Sequence, residues 1–362
     1  MNNLEKARAI INETDREIAR LFEKRMQAAS LVAEYKKEHG LSILDASREN
    51  ELIQRNSEYI EDEVIKEYYV EFLKSTMSIS RAYQTRLNSG MRVAYCGVEG
   101  AYAHIAAKRL YKDACYIAFP SFEEAYRATE NGTCDACVLP IENSYAGDVG
   151  NVMDLLFSGS LYATQVLNLE VNHCLLAPEG ATLDSIKTVV SHSQALSQCA
   201  DYIAKHGYNT EPYPNTAVAA KYVRDANDIS VAAIASSESA EIFGLRVLQE
   251  KINSSRTNTT RFVSFSRVMS LSGEAKDKIN DHFMLVFTVK NEAGALAKTI
   301  DIIGNHGYNM RNLRSRPMKE LLWSYYFFVE ADGNINTQNG KEMLNALSKA
   351  CDKLKVVGAY HS

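Results

Sequence analysis

The sequence predicts a multidomain chain: an all-α segment of three helices, a two-lobed α/β segment and a compact βαββαβ unit. Three observations predict it. Residues 1–88 hold no proline and read as helical throughout, closing at Asn88-Ser89-Gly90. From Arg92 to about Arg267 short apolar runs alternate with helical stretches. A polar, charged run over 270–281 then reads as a linker before a last unit of about 80 residues. The expected boundaries are 1–90, 91–270 and 280–362.

The first helix is expected over 4–38, where neither Pro nor Gly occurs. With Arg25 at zero and about 100° per residue, Ile11, Ile18, Leu21, Ala29 and Val32 lie within roughly 40° of it, and Lys36 within about 20°. A cation on an apolar stripe is costly unless an anion meets it, so the stripe predicts an internal ion pair or an anionic ligand. A second helix is expected from Asp45 or Ser47, with Glu49 on the face of Leu52 and Ile53. A third is expected from Asp62, where Ser80 and Gln84 share a stripe with Tyr69, Leu73, Met77 and Leu87. Each helix thus turns polar groups inward, which suits either a buried polar network or a ligand site. The first helix is about 50 Å long at 1.5 Å per residue, too long for a unit of about 90 residues to cover. An intertwined helical dimer is expected.

In the middle segment, 92–96, 136–140, 188–191, 230–235 and 261–265 read as strands, and 101–110, 123–131, 194–205 and 216–226 as helices. The alternation predicts a mostly parallel α/β arrangement with its site beyond the carboxyl ends of strands. The last unit reads as strand 283–289, helix 296–306, strand 309–316, strand 323–330, helix 340–351 and strand 355–360, the ferredoxin-like order.

Lys plus Arg is 40 against 45 Asp plus Glu, a net charge of −5, and no basic run marks a nucleic-acid binder. No apolar run approaches 18 residues and the N-terminus shows no signal peptide, so a cytoplasmic protein is expected. The seven cysteines include one C-x-x-C, Cys134 and Cys137, with no second pair or His cluster. Free thiols in a reducing compartment, and no metal, are expected.

Arg8, Arg25, Lys36, Asp45, Arg48, Glu49, Ser80 and Gln84 together resemble the active-site set of the all-helical chorismate mutases, over about residues 4–87. That resemblance implies a helical dimer in which Arg8, about 100° off the Arg25 stripe, serves the partner's pocket. It implies that Arg8, Arg25 and Arg48 hold the two carboxylates of chorismate. Lys36 and Gln84 would donate to the ether oxygen, and Glu49 with Asp45 would hold the ring hydroxyl. Ser80 belongs to the same substrate-binding set. A pericyclic rearrangement needs no nucleophile, only a compact conformer and stabilised charge on that oxygen.

A second cluster lies in the α/β segment. Gly97-Val98-Glu99-Gly100-Ala101-Tyr102 sits at a strand-to-helix turn. Pro140-Ile141-Glu142-Asn143-Ser144 closes a strand and is followed by Gly147. Asn172-His173-Cys174, the run from Ser191 and His192 to Gln198 and Cys199, Asn215-Thr216-Ala217 and Thr259-Thr260-Arg261-Phe262 follow. Together these resemble prephenate dehydratase over about 92–267. The resemblance assigns the key hydroxyl to Thr260 and substrate binding to Glu142, Asn143, Ser144, Ser191, His192, Gln198, Thr216 and Arg261. Prephenate loses carbon dioxide and hydroxide as its ring aromatises, so the site must assist the leaving hydroxyl, anchor anions and exclude water. Ala103 and Ser193 stand where that family usually has Ser or Thr, and Pro.

In the last unit, Gly294-Ala295-Leu296 and Arg314-Ser315-Arg316-Pro317 resemble the phenylalanine-binding marks of ACT regulatory domains, with Arg314 where Glu is usual. An unpaired inward Arg is costly, so Arg314 is expected to point outward, toward an interchain salt bridge. The three resemblances stand in the order of the bifunctional chorismate mutase–prephenate dehydratases of phenylalanine biosynthesis. They imply chorismate and prephenate as substrates, L-phenylalanine as effector, a homo-oligomer and no cofactor. A mutase fused to a dehydrogenase would need a G-x-G-x-x-G turn that the chain lacks. The rival of another class is a ligand-sensing binding protein without catalysis, which the acidic balance and the absence of a basic face disfavour.

Overall fold

The computed structural model describes residues 2–255, 257–269, 281–318 and 324–361, and structural statements below concern these. The chain divides into two compact units, Met1–Arg92 and Val93–Ser362.

In the first unit, helix α1 (Asn3–Glu38) starts at a capping box in which Asn2 and Glu5 each accept the other's backbone N–H. Asp45 caps α2 (Ala46–Ser57), and Asp62 caps α3 (Glu63–Ser89) through the N–H groups of Val64 and Ile65. Arg25 bonds Ser80 and Asn88 bonds Ala33, so α1 and α3 run parallel with a constant offset of 55 residues. At this register Gln84 falls opposite Ala29. Ala29, Ala33, Met77, Thr76, Ser80 and Gln84 are the buried residues of these helices, a thin core. Much of the apolar stripe lies in the open: Leu21 is 65 % exposed, Ile11 56 % and, on α3, Tyr68 74 %.

The second unit opens with β1 (Arg92–Cys96), α4 (Tyr102–Leu110), β2 (Cys115–Phe119), α5 (Phe122–Glu130), β3 (Ala136–Asn143), β4 (Gly147–Asp148), α6 (Gly150–Ser158) and β5 (Tyr162–Glu170). A second lobe follows: β6 (Cys174–Ala177), β7 (Thr188–Ser191), α7 (Ser193–Gln198), α8 (Ala200–His206), β8 (Asn209–Pro212), α9 (Thr216–Ala226), β9 (Val231–Ala235), α10 (Ser237–Phe243) and β10 (Arg246–Gln249). Strand β11 (Thr259–Ser266) returns to the first lobe. The chain ends as β12 (Asp281–Thr288), α11 (Ala295–Asn305), β13 (Met310–Pro317), β14 (Tyr325–Asp332), α12 (Gln338–Ala350) and β15 (Lys353–His361), the βαββαβ order. Residues 270–280 of the linker expected over 270–281, and the start of the strand expected from Trp323, lie outside the described residues, while Asp281 begins β12 rather than ending the linker.

Two sheets organise this unit. One runs β13-β14-β12-β15-β5-β11-β3-β1-β2, with β4 on β3; the other runs β10-β6-β9-β7-β8. The expectation of a mostly parallel arrangement is corrected. Strand β11 is antiparallel to both β3 and β5, and β6 is antiparallel to β9 and β10. The chain leaves the first lobe along β5 and comes back along β11, so the returning strand opposes its neighbours. The helix expected over 194–205 is two helices that meet at Cys199, where φ is −112° and ψ is 15°. One apolar core fills the first lobe and runs on under the C-terminal strands, where Met284, Val286, Phe328 and Val357 join it; others fill the two faces of the second sheet and the space between β12, β14 and β15 and the helices α11 and α12.

The first-lobe and C-terminal parts of the long sheet meet at one residue pair, Gly358 of β15 beside Ala163 of β5. A Cβ on Gly358 would overlap the carbonyl of Ala163. Backbone is the obstacle, so no side chain can swing aside. Gly358→Ala is expected to destabilise the protein by about 1–3 kcal/mol through overpacking, read as a lower denaturant midpoint. An unchanged midpoint would mean that this seam yields.

Candidate active sites

In the helical unit, the guanidinium of half-buried Arg25 donates to Ser80 Oγ and, at 3.4 Å, to the carbonyl of Thr76. Burial lowers its pKa. Lys36 Nζ donates to the carbonyl of Ile43 at 2.6 Å. The two cations therefore lean on neutral oxygens rather than on each other, which leaves their charge uncompensated by these contacts. Gln84 is buried, and its Oε1 has no hydrogen-bond partner among the described residues. Glu49 accepts from Arg81 through both carboxylate oxygens. Asp45 accepts from the Arg48 N–H at 3.0 Å and the Ser47 hydroxyl at 2.9 Å, and these bonds lower its pKa. Arg48 is exposed beside Glu51, and Arg8 lies exposed on the first third of α1. Arg25, Ser80, Gln84 and Glu49 thus gather along α3, while Arg8 and Arg48 are exposed in a single chain.

In the second unit, a cavity of about 490 Å³ opens between the two lobes, a size that suits a small ligand. Asn143 and Thr260 line it from the first lobe, and His192, Gln198 and Thr216 from the second. Asn143 Nδ2 donates to Thr260 Oγ1 at 2.8 Å. Asn143 Oδ1 accepts the N–H groups of Tyr145 at 3.0 Å and Ala146 at 2.9 Å, which fixes the amide's orientation. His192 caps α7. Ser193 is the first residue of that helix, where the proline usual at this position would also fit. Ala103 lies on the cavity wall.

Four expected cleft residues are elsewhere, and for Glu142 and Arg261 the period of two along a strand is the reason. Strands β3 and β11 pair Thr260 with Asn143 and Arg261 with Glu142, so Arg261 and Glu142 share the opposite face. There Arg261 binds Glu330 of β14, through Nη1 at 2.6 Å, and Tyr360 Oη of β15 at 2.7 Å. Glu330 is 1 % exposed and also accepts from Tyr360. Glu142 pairs with Arg314 at 2.6 Å. Ser144 Oγ donates to the Thr257 carbonyl at 2.9 Å and accepts the Thr259 N–H at 2.9 Å, pinning one turn to another. Ser191 is fully buried, and its hydroxyl donates to the Ile234 carbonyl at 2.5 Å, tying β7 to β9. The contacts of these four residues displace the expectation that all of the residues line one cleft.

In the C-terminal unit, Gly294 stands in the left-handed region at φ +84° and begins α11 with no side-chain cap. Ala295 and Leu296 follow in its first turn. Along β13, Arg314 and Arg316 turn one way while Ser315 and Pro317 turn to solvent. Arg314 is corrected from outward to inward: it bridges Glu142 and Asp148, and Arg316 reaches Asp154 at 3.2 Å. Two carboxylates waiting there remove the cost that argued for an outward Arg.

Sequence reasoning missed Arg81, Asp148, Asn258 and the role of Tyr102. The register of β3 against β11 would have exposed the alternation. Nothing in the local sequence marks Glu330 as the partner of Arg261, 69 residues away. The cysteines are free, and Cys134 and Cys137 are buried in the first-lobe core. No helix of the described residues is long and apolar enough to cross a membrane.

An all-helical unit with inward cations, joined to a two-lobed α/β unit whose largely apolar cleft carries a few convergent polar groups, defines a two-site enzyme for small anions. Residues 7–85 match the family model for chorismate mutase type II, and residues 93–270 that for prephenate dehydratase. The bifunctional chorismate mutase/prephenate dehydratase of Neisseria gonorrhoeae is 30 % identical over 98 % of this chain and 95 % of its own. A prephenate dehydratase from Arthrobacter aurescens, solved in complex with L-Phe, superposes with a TM-score of 0.68 at 25 % identity, covering 75 % of this chain and 90 % of that one. A solved structure described as a quorum-quenching acylase, GqqA, gives a TM-score of 0.68 at 27 % identity over 75 % of this chain and 98 % of its own. The chain belongs to the bifunctional chorismate mutase/prephenate dehydratase family. It is an enzyme of phenylalanine biosynthesis that converts chorismate to prephenate and prephenate to phenylpyruvate.

Burial lowers the pKa of two imidazoles in the second unit, His173 and His104. Unfolded, each takes a proton near pH 6.5, while the folded protein resists it. The unfolded state then binds more protons below that pH, so stability should fall as the pH drops through about 6.5. Urea midpoints at pH 7.5 and 5.5 check this: the wild-type midpoint should drop, and His104→Gln should shrink the drop. A wild-type midpoint independent of pH would contradict the assignment.

Proposed function

We propose that the two activities divide along the chain as residues 1–90 for the mutase and 91–270 for the dehydratase, with 280–362 as an ACT regulatory unit. The mutase works as an intertwined homodimer. The exposed stripe of α1 and α3 supports this, since a second copy would bury Ile11, Ile18, Leu21 and Tyr68. The partner would also bring its Arg8 toward the pocket of Arg25, Lys36 and Arg48. In that pocket the three Arg hold the carboxylates of chorismate. Lys36 and Gln84 meet the charge that grows on the ether oxygen, and Glu49 with Asp45 holds the ring hydroxyl. Ser80 positions Arg25.

In the dehydratase cleft, the observation that carries the reading is the bond from Asn143 Nδ2 to Thr260 Oγ1. It fills an acceptor position on the hydroxyl and leaves the Thr260 proton free to point into the cavity. The C–C bond to the ring carboxylate breaks, its electron pair enters the ring, and the C–O bond breaks. The leaving hydroxide takes up a proton as water, and carbon dioxide departs. Thr260 hydrogen-bonds the leaving oxygen, and His192, Gln198 and Thr216 hold the substrate. Free thiols suit a reducing cytoplasm.

L-Phenylalanine is the proposed effector, held by the uncapped first turn of α11 at Gly294, Ala295 and Leu296 and by β13 around Ser315. Arg314 carries the signal, since Glu142 and Asp148 flank the cleft residues Asn143 and Gly147. A ligand that prefers one arrangement of β13 then shifts the cleft. The open edge of β13 supports pairing with another copy.

Lys36→Ala should cut mutase turnover by about 10²–10³ while dehydratase turnover on added prephenate persists. Thr260→Ala should do the reverse, and Thr260→Ser should keep part of the activity. Steady-state assays of both reactions decide; a Thr260→Ala enzyme with normal dehydratase turnover would overturn this site. Calorimetry should detect phenylalanine binding to wild type and to Arg314→Ala. The variant's inhibition should weaken by at least about fivefold, the size of a modest coupling energy. Equal inhibition in both would remove Arg314 from the route.

A further inference from the structure

We infer that His173 and Asn258 are positioning residues of the dehydratase, holding a one-way hydrogen-bond chain that aims the Thr260 hydroxyl and the Gln198 amide into the cleft. The inference rests on Thr260 as the reacting hydroxyl and extends that reading to residues with no assigned role.

The direction of the chain follows from one turn. Asn143 Oδ1 accepts two backbone N–H groups, of Tyr145 and Ala146, and backbone N–H groups can only donate. Asn143 Nδ2 must therefore be the donor end. Its two protons serve Thr260 Oγ1 at 2.8 Å and Asn258 Oδ1 at 3.0 Å, with the Thr259 carbonyl a more distant third acceptor at 3.3 Å. With its oxygen used, Asn258 turns its Nδ2 to Gln198 Oε1 at 3.0 Å. The same Oε1 meets His173 Nε2 at 2.8 Å, so that ring nitrogen carries the proton. His173 Nδ1 is then the lone-pair nitrogen; the single proton of Tyr102 Oη has two acceptors in reach, the Asn172 carbonyl at 3.0 Å and this nitrogen at 3.3 Å. Every link from Asn143 to His173 has one allowed polarity once the turn is formed.

Two consequences reach the cavity. Thr260 Oγ accepts from Asn143, so its own proton is left for a ligand. Gln198 Oε1 is occupied twice from behind, so its NH₂ faces the cleft and can meet an anionic or carbonyl oxygen of the substrate. Reversing any link would turn Gln198 around and present a carbonyl to an anion. The chain is built for permanence: Asn143, Gln198, His173 and Asn258 are all at least nine-tenths buried. Burial also keeps His173 neutral, which preserves its lone pair toward Tyr102. The chain crosses from β11 to the second lobe, so it also holds the two halves of the cleft in one register.

Three variants test it by polarity rather than by size. His173→Leu fills the space without a donor, whereas His173→Gln can place an N–H near the position of Nε2. Asn258→Asp keeps the shape but has no donor for Gln198. We expect His173→Leu and Asn258→Asp to lower dehydratase kcat by about 10², the scale of a misaimed reacting group. Thermal midpoints show whether each variant is folded. His173→Gln should recover kcat to within about tenfold of wild type, because the lost donor is restored. KM for prephenate should move less than kcat. If His173→Gln is no better than His173→Leu with both folded, or if Asn258→Asp keeps wild-type kcat, the chain has no aiming role. Thr260→Ala separates the two levels. An inactive Thr260→Ala beside a normal Asn258→Asp removes the chain alone, and an active Thr260→Ala removes the reading beneath it.

Discussion

The second unit depends on the antiparallel pairing of β3 with β11. That pairing places Thr260 beside Asn143 and Arg261 beside Glu142. Because side chains alternate along a strand, one register sends a neutral, hydrogen-bonded pair to the cleft and a charged pair to the other side. A slip of one residue would put Arg261 and Glu142 in the cavity and leave Glu330 buried without its cation. Register is thus held from both faces: by the Asn143–Thr260 bond on one, and by the Arg261–Glu330–Tyr360 cluster on the other. The same device couples the cleft to the C-terminal unit. Glu330 and Tyr360 belong to β14 and β15, and Arg314 of β13 reaches Glu142 and Asp148 at the end of β3.

Much of this architecture was legible in the sequence because it rests on local signals. Asp45 and Asp62 cap helices where Asp residues precede a helical period, and the βαββαβ order follows from runs of changing periodicity. The cleft was half legible. Asn143, His192, Gln198, Thr216 and Thr260 line it, but Glu142, Ser144, Ser191 and Arg261 were expected beside them. Glu142 and Arg261 sit next to cleft residues within a strand, where adjacency means opposite faces, while Ser144 and Ser191 turn their hydroxyls to nearby carbonyls. Strand β5 went unread because its Tyr162–Glu170 run mixes polar and apolar residues without the clean apolar pattern of β1 or β3. Arg314 was read outward from the cost of burying a cation alone. The carboxylates that offset that cost lie 172 and 166 residues away in the sequence, beyond any local pattern.

The helical unit poses the complementary problem. Its polar groups were legible from spacing, since Arg25, Ser80 and Gln84 fall on facing stripes of parallel helices. Its completion was not, because one chain leaves the stripe of α1 exposed and Arg8 alone. Arg81 illustrates what spacing misses. It occupies both oxygens of Glu49, so a substrate hydroxyl must share or displace a cation already in place.

The central claim is that Arg261 acts across the sheet toward Glu330 and not on the substrate. Replacing a buried ion pair as a whole with apolar groups is far milder than removing one partner. The most direct measurement is therefore the KM for prephenate and the dehydratase kcat of Arg261→Met, Glu330→Met and the double variant. The account predicts that each single change is harmful through an unpaired buried charge or lost packing. The double variant should recover stability, with KM within about threefold of wild type, since no substrate contact is lost and such swaps are often close to neutral. A double variant that folds well yet shows a KM raised by about 10² or more would contradict the account, because a loss on that scale is what removing a charged anchor for the substrate carboxylate produces.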